Sequence, residues 1–156
     1  RIKSRSDIMV KGIHDLAVRF SKCCSPVPGD EIVGFVTRGR GMSIHRTDCV
    51  NILHLSEAER ARLLPAEWEQ TDDKGSGLYM SGIKMFTHDR QGMLMEISKV
   101  FTESKIDVKS MNIRTSKKGT ATIEIGFIVH TREELAKVVE KLRQLEGVID
   151  IERTVG

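Results

Sequence analysis

Thr120 to His130 reads TATIEIGFIVH, and its alternation sets the architecture of the second half of the chain. Ile123, Ile125, Phe127 and Val129 recur at every second position, as in a strand with one buried face. Downstream, Thr131 and Glu134 have the spacing of a capping box, and Leu135, Val138, Val139, Leu142 and Leu145 follow at helical intervals. Gly147 stops that helix, and Val148 to Arg153 reads as a further strand. Upstream, Ser116-Lys117-Lys118-Gly119 turns the chain back to a strand over Val108 to Thr115. That strand places Met111 and Ile113 on one face and Asn112 and Arg114 on the other. Before it, Met93, Leu94, Ile97, Val100 and Phe101 have helical spacing, and Ile83 and Met85 alternate with Lys84 and Phe86 in a first strand.

This βαββαβ order predicts two helices on one face of a four-stranded antiparallel sheet, the ferredoxin-like arrangement. The polar, glycine-rich run Thr71 to Gly77 (TDDKGSG) predicts a joint ahead of it. The chain is therefore expected to divide into a first domain over 1–70, a linker over 71–77 and a second domain over 78–156. The fold class is α+β. In the first domain, residues 1–12 read as a mobile entry or an edge strand. Leu16, Val18 and Phe20 alternate as a half-buried strand. Pro26, Pro28 and Gly29 mark a turn, Ile32 to Val36 form a strand, Arg38-Gly39-Arg40-Gly41 a hairpin turn, and Met42 to His45 the returning strand. Ser56 and Glu59 predict a capped helix from Glu57 to Leu64, ended by Pro65. Ala66 to Gln70, carrying Trp68 as a core anchor, closes this small β-rich unit.

The 156 residues carry 30% charged side chains and a net charge of +3, a mild balance that does not by itself indicate nucleic-acid binding. The distribution is uneven. Residues 1–46 hold nine basic and four acidic side chains, and 47–73 hold two basic and seven acidic, so attraction to phosphate would be local. No apolar run approaches the roughly 20 residues of a membrane span, and the start lacks the apolar core of a signal peptide. The expectation is a cytoplasmic protein with no membrane partner. The chain begins at Arg, which is read as the start of a piece of something longer.

The three cysteines fit no paired disulfide framework. They lie in the stretch Cys23 to Cys49, CCSPVPGDEIVGFVTRGRGMSIHRTDC. Cys23, Cys24, His45 and Cys49 offer the thiolate and imidazole ligands that Zn²⁺ prefers. Adjacent residues of an extended strand point to opposite faces, so both cysteines reach one ion only where the backbone kinks. One cysteine with His45, Cys49 and Asp48 or water is an alternative set, and thiols packed as small apolar groups another. A cysteine nucleophile with His45 or His14 as base lacks an orienting group and an oxyanion site, which sets an enzyme activity aside. Arg38, Arg40 and Arg46 lie on or beside the first hairpin. Lys109, Arg114, Lys117 and Lys118 form a second basic run on the hairpin of the second unit. Base stacking on the second sheet is disfavoured, because only Phe86 and Phe127 are available and Phe127 shares a face with Ile125 and Val129.

The cysteine stretch resembles very closely the zinc-finger or RIS domain in the C-terminal half of long RelA/SpoT-type alarmone synthetase/hydrolases. The βαββαβ unit, with Asp89-Arg90-Gln91-Gly92-Met93-Leu94 between its first strand and helix, is similar to the ACT domain that follows it in that family. The resemblance implies a regulatory region without catalytic residues, acting in the (p)ppGpp stringent response on catalytic domains N-terminal to it. It implies ribosomal RNA as a partner through the two basic clusters, and uncharged tRNA as one sensed indirectly. The alternative function it implies is an amino-acid-sensing, allosteric ACT module, with a branched-chain effector at Asp89, Arg90, Gly92, Met93 and Leu94 and homodimerisation through the sheet edge. In that reading Asp89 caps the helix and Gly92 lets the chain turn.

Overall fold

The computed structural model describes residues 8–10, 17–39, 41–69 and 77–154, which form two sheets. The first has strand order β1-β5-β3-β4-β2, built from β1 (Ile8–Val10), β2 (Val18–Phe20), β3 (Ile32–Thr37), β4 (Gly41–Arg46) and β5 (Leu63–Trp68). β3 and β4 form the expected hairpin, in register from Ile32 opposite Arg46 to Thr37 opposite Gly41. β2 runs parallel to β4, and the Met42 amide donates to the Ala17 carbonyl at 2.8 Å. Gly41, at φ 100°, is required there, because a Cβ would collide with the Ala17 backbone. The expectations for Leu16, His14, Arg40 and residues 70–76 fall outside the described residues.

The capped helix differs from expectation. After a single turn, α1 (Val50–Leu53), the capping box forms as read, with Glu59 N–H on the Ser56 hydroxyl and Ser56 N–H on the Glu59 carboxylate. The helix it starts, α2, ends at Arg60, and β5 begins at Leu63 with Pro65 inside it. The ladder explains the tolerance. Val36 donates to the Arg62 carbonyl, so by alternation Val33 opposite Pro65 is a non-hydrogen-bonded pair, where the missing proline N–H points away from β3. The β-strand pairing decides this segment over its local helical preference.

The second sheet has the order β7-β8-β6-β9, and its elements are β6 (Tyr79–His88), α3 (Met93–Glu103), β7 (Val108–Thr115), β8 (Thr120–Val129), α4 (Arg132–Arg143) and β9 (Val148–Arg153). This is the expected ferredoxin-like topology. Ile83, Met85, Ile123, Ile125 and Phe127 are buried with Ile97 and Phe101 of α3 and Leu135, Val138 and Leu142 of α4. Each such side chain contributes about 1.5–3 kcal/mol on burial. Thr131 caps α4 by accepting from Glu134 N–H, but the Glu134 carboxylate turns to the His130 amide, which leaves the box half made. Asp89 does not cap α3. Gly92 holds the N-cap position at φ 85°, and no side chain caps it.

The two units are packed together. Val27, between the two prolines of the turn, is fully buried in the core of the second unit. Trp68 stacks on Phe20 at 5.5 Å and meets Tyr79 edge-on at 5.6 Å. Trp68 thus anchors the boundary between the sheets as well as the first core. Among the described residues no helix is long and apolar enough to cross a membrane.

Candidate functional site

The chain closes a turn after β2 in which the Ser25 amide donates to the Ser21 carbonyl at 3.0 Å. One helical turn separates neighbouring side chains by about 100° instead of the 180° of a strand, so Cys23 and Cys24 face the same point. Ser25 follows in the left-handed region, at φ 47°. His45 comes from β4, and Cys49 precedes α1 as its N-cap.

The four candidate ligand atoms lie within 4.8 Å of one another. Cys23 Sγ is 3.4 Å from Cys49 Sγ and 3.5 Å from His45 Nδ1, and Cys24 Sγ is 3.8 Å from that nitrogen. Around a tetrahedral zinc, with Zn–S about 2.3 Å and Zn–N about 2.0 Å, neighbouring ligand atoms lie about 3.5–3.8 Å apart. The donor set therefore suits Zn²⁺ in chemistry, and three of its spacings lie close to that range. The outer groups fit too. Ser43 Oγ lies 3.1 Å from His45 Nε2; in the tautomer that donates the Nε2 proton to Ser43, the Nδ1 lone pair is left for the cluster. The Arg46 amide donates to Cys24 Sγ at 3.3 Å. Asp48, an alternative ligand from the sequence, is turned away into an ion pair with Arg46 at 2.7 Å.

Burial pushes the Cys24 thiol up to about 12 and raises Cys49. At Cys23 burial acts the same way, but hydrogen bonds from Ser21, Asn51, Cys49 and Cys24 outweigh it and lower the value. Burial also lowers His45 below its ordinary 6.5. In the metal-free chain the unfolded state then takes up that proton first as pH falls. The His45 contribution to stability is complete above about 6.5 and is lost progressively below it, towards the depressed folded value. Urea unfolding of metal-free protein should show a lower midpoint at about pH 5.5 than at about pH 7.5, and His45→Gln should remove that part of the difference.

The basic residues separate into three kinds. Arg38, Lys117 and Lys118 are exposed at hairpin ends and form no ion pair among the described residues. Lys109 and Arg114 are exposed on β7 but are paired with Asp107 at 2.8 Å and Glu124 at 3.9 Å, so acidic neighbours offset part of this basic run. Arg46 departs from the expected surface cation. Its side chain is 6% exposed, and its guanidinium is committed to Asp48 and to the carbonyls of Cys24 and Thr154. Reading the sequence missed Arg62, which lies over the Phe35 ring at 4.7 Å beside the first hairpin. It also missed Asp30, whose role depends on contacts with the distant β9.

A cavity of about 280 Å³ lies between α3 and β7, lined by His88, Asp89, Arg90, Gly92, Met93, Leu94 and Ile113 among others. The five expected effector residues thus share one hollow. Arg90 is already engaged with Glu96 at 2.8 Å and with the Glu146 carbonyl at 2.7 Å, so a ligand carboxylate would compete with Glu96 for it. β7 is an edge strand, with Met111 and Ile113 each 36% exposed beside this hollow.

Comparison with known proteins agrees with this organisation. Residues 8–69 match the RelA/SpoT RIS domain, and residues 75–153 match the ACT domain. A GTP pyrophosphokinase of Streptomyces coelicolor is 37% identical over 156 residues, covering all of this chain and 18% of that protein. The Escherichia coli K12 GTP pyrophosphokinase is 34% identical over 157 residues, covering 21% of its length. The chain thus spans about a fifth of the relatives it matches. The solved ACT domain of the Chlorobium tepidum GTP pyrophosphokinase aligns at 25% identity and a TM-score of 0.45, over 49% of this chain and 99% of that one. The two matched domains are regulatory ones and neither is catalytic. The chain belongs to the ACT-domain family and, with its RIS domain, is the C-terminal regulatory region of a RelA/SpoT-type GTP pyrophosphokinase homologue.

Proposed function

We propose that this region binds ribosomal RNA in the cytoplasm during the stringent response and restrains or releases the (p)ppGpp synthetase and hydrolase domains of the same protein. Uncharged tRNA is sensed indirectly, through the state of the ribosome. The observation that carries this reading is the pair of uncommitted basic hairpin ends, Arg38 on β3–β4 and Lys117-Lys118 on β7–β8. A cation on a protruding hairpin reaches phosphate without first leaving a protein partner. Arg40 joins the set by its place in the same turn, while Lys109 and Arg114 take part at the cost of their acidic neighbours. Zn²⁺ held by Cys23, Cys24, His45 and Cys49 supplies a structural cross-link at the base of the first hairpin. Co-sedimentation with ribosomes tests the reading: binding should require the basic hairpin residues, and equal pelleting of a charge-reversed chain would reject it.

A second reading rests on the hollow between α3 and β7 and the half-exposed Met111 and Ile113 at its side. In it, Asp89, Arg90, Gly92, Met93 and Leu94 hold a branched-chain amino acid, and the β7 edge forms a homodimer over it. Calorimetry with valine, isoleucine and leucine should give heat that Arg90→Ala reduces; no heat with any of the three removes this reading.

A further inference from the structure

The seven residues Cys24 to Asp30 begin at a metal-ligand position and end inside the boundary with the ACT domain. The Cys24 carbonyl accepts from Arg46 Nη1 at 3.1 Å, and the same nitrogen reaches the Thr154 carbonyl just past β9, at 3.2 Å. The Ser25 carbonyl accepts from Arg153 Nη2 at 3.3 Å. Val27 is fully buried in the ACT core, and its amide donates to Asp30 Oδ2 at 2.9 Å. The Pro28 carbonyl accepts from the Arg132 amide at the start of α4, at 2.9 Å. Asp30, with its side chain 5% exposed, takes a bidentate pair from Arg153 at 2.7 and 2.9 Å, with Arg132 at 3.6 Å. Every polar contact named here from Arg153, Arg132 and Thr154 lands on this segment or on Arg46, the residue after the ligand His45.

We propose that metal binding at the four-residue cluster and docking of the RIS domain on the ACT domain are one coupled equilibrium, with Cys24–Asp30 and Arg46 as the latch between them. This rests on the zinc reading of the cluster. An ion that holds Cys23 and Cys24 on one point keeps the turn before Ser25 closed and Ser25 in its left-handed conformation. That places the Ser25 carbonyl on Arg153 and directs Val27 into the ACT core. Arg46 secures the same geometry from the other strand, because its amide binds a ligand sulfur while its guanidinium spans both domains. When the ion leaves, the turn is free to open and the inserted segment loses its fixed end. Interdomain geometry, and with it the relative placement of the two basic hairpins, then follows metal occupancy.

Linkage makes the idea testable from the side away from the metal, since docking must strengthen metal binding by the factor by which metal strengthens docking. Asp30→Asn changes no ligand but breaks the Arg153 pair. In the two-domain chain it should weaken zinc affinity by about tenfold, measured by competition with a chromophoric chelator. Chelating zinc from the unchanged chain should in turn speed hydrogen exchange at the Val27, Asp30 and Arg132 amides, while the central amides of β8 stay protected. Arg153→Lys, which keeps the charge but loses the bidentate fork, carries the same expectation should the Asn variant fail to fold. Unchanged zinc affinity in the folded variant, with one zinc per chain, overturns the latch and leaves the metal site standing. A chain that takes up no zinc overturns both.

Discussion

Arg46→Ala should destabilise the chain by about 2–4 kcal/mol, although local sequence places this arginine beside a surface hairpin. The cost comes from what the guanidinium leaves behind. Asp48 keeps 62% of its side chain in solvent, so losing that ion pair contributes little. The Cys24 carbonyl is different, because it loses its donor in a buried site, whereas the exposed Thr154 can turn its carbonyl to water. Each buried acceptor left without a partner costs about 1–3 kcal/mol. Truncation also opens a void where the arginine stem packs. Urea unfolding followed by Trp68 fluorescence reads the change, since Trp68 lies between the two sheets. Arg38→Ala, at an exposed turn, is the matched control and should stay within about 0.5 kcal/mol of the parent. An Arg46→Ala midpoint equal to that of the control would show that the buried guanidinium is dispensable.

Reversing Arg38, Arg40, Lys117 and Lys118 together to Glu should lower ribosome affinity by about a hundredfold at moderate salt. Each cation that neutralises an RNA phosphate contributes about 0.7–0.9 to the slope of log affinity against log salt. Losing four such contacts should flatten that slope by about 3. Salt titrations of the co-sedimentation therefore separate a phosphate role from a folding defect, which would abolish binding without this graded change. The urea midpoint should hold, because Arg38, Lys117 and Lys118 are exposed and form no ion pair among the described residues. Binding of parental strength with an unchanged salt slope would remove both hairpins from the interface.

The ACT half was legible because each of its elements repeats one period over a long run. Ile123 to Val129 alternate without a break, and the helices carry Ile97 with Phe101 and Leu135 with Val138 and Leu142 on single buried faces. Short elements were harder. The Ser56 capping box correctly starts α2, yet nothing local shows that Leu63 and Leu64 leave the helix to pair with Phe35 and Gly34. Pro65 read as a helix stop; it is tolerated in β5 because its position in the ladder asks for no donor towards β3.

The candidate site divides in the same way. Residue type alone selected Cys23, Cys24, His45 and Cys49, since thiols and imidazole are rare and chemically distinctive, and it selected the glycine-bounded basic hairpin. Whether two adjacent cysteines converge depends on a turn closed by one backbone hydrogen bond, Ser25 to Ser21, which pattern does not encode. Arg46 and Arg38 carry the same group eight positions apart, and only the packing of Cys24 and Thr154 against one of them makes it structural. Asp30 looks like a turn residue until Arg153 is placed against it. Local periodicity and ligand chemistry thus determined the two domains, their order and the four metal-binding candidates. Burial of charge, the meeting of the two cysteines with His45 and Cys49, and docking of the domains were decided by tertiary structure, because each depends on contacts between residues 20 to more than 100 positions apart.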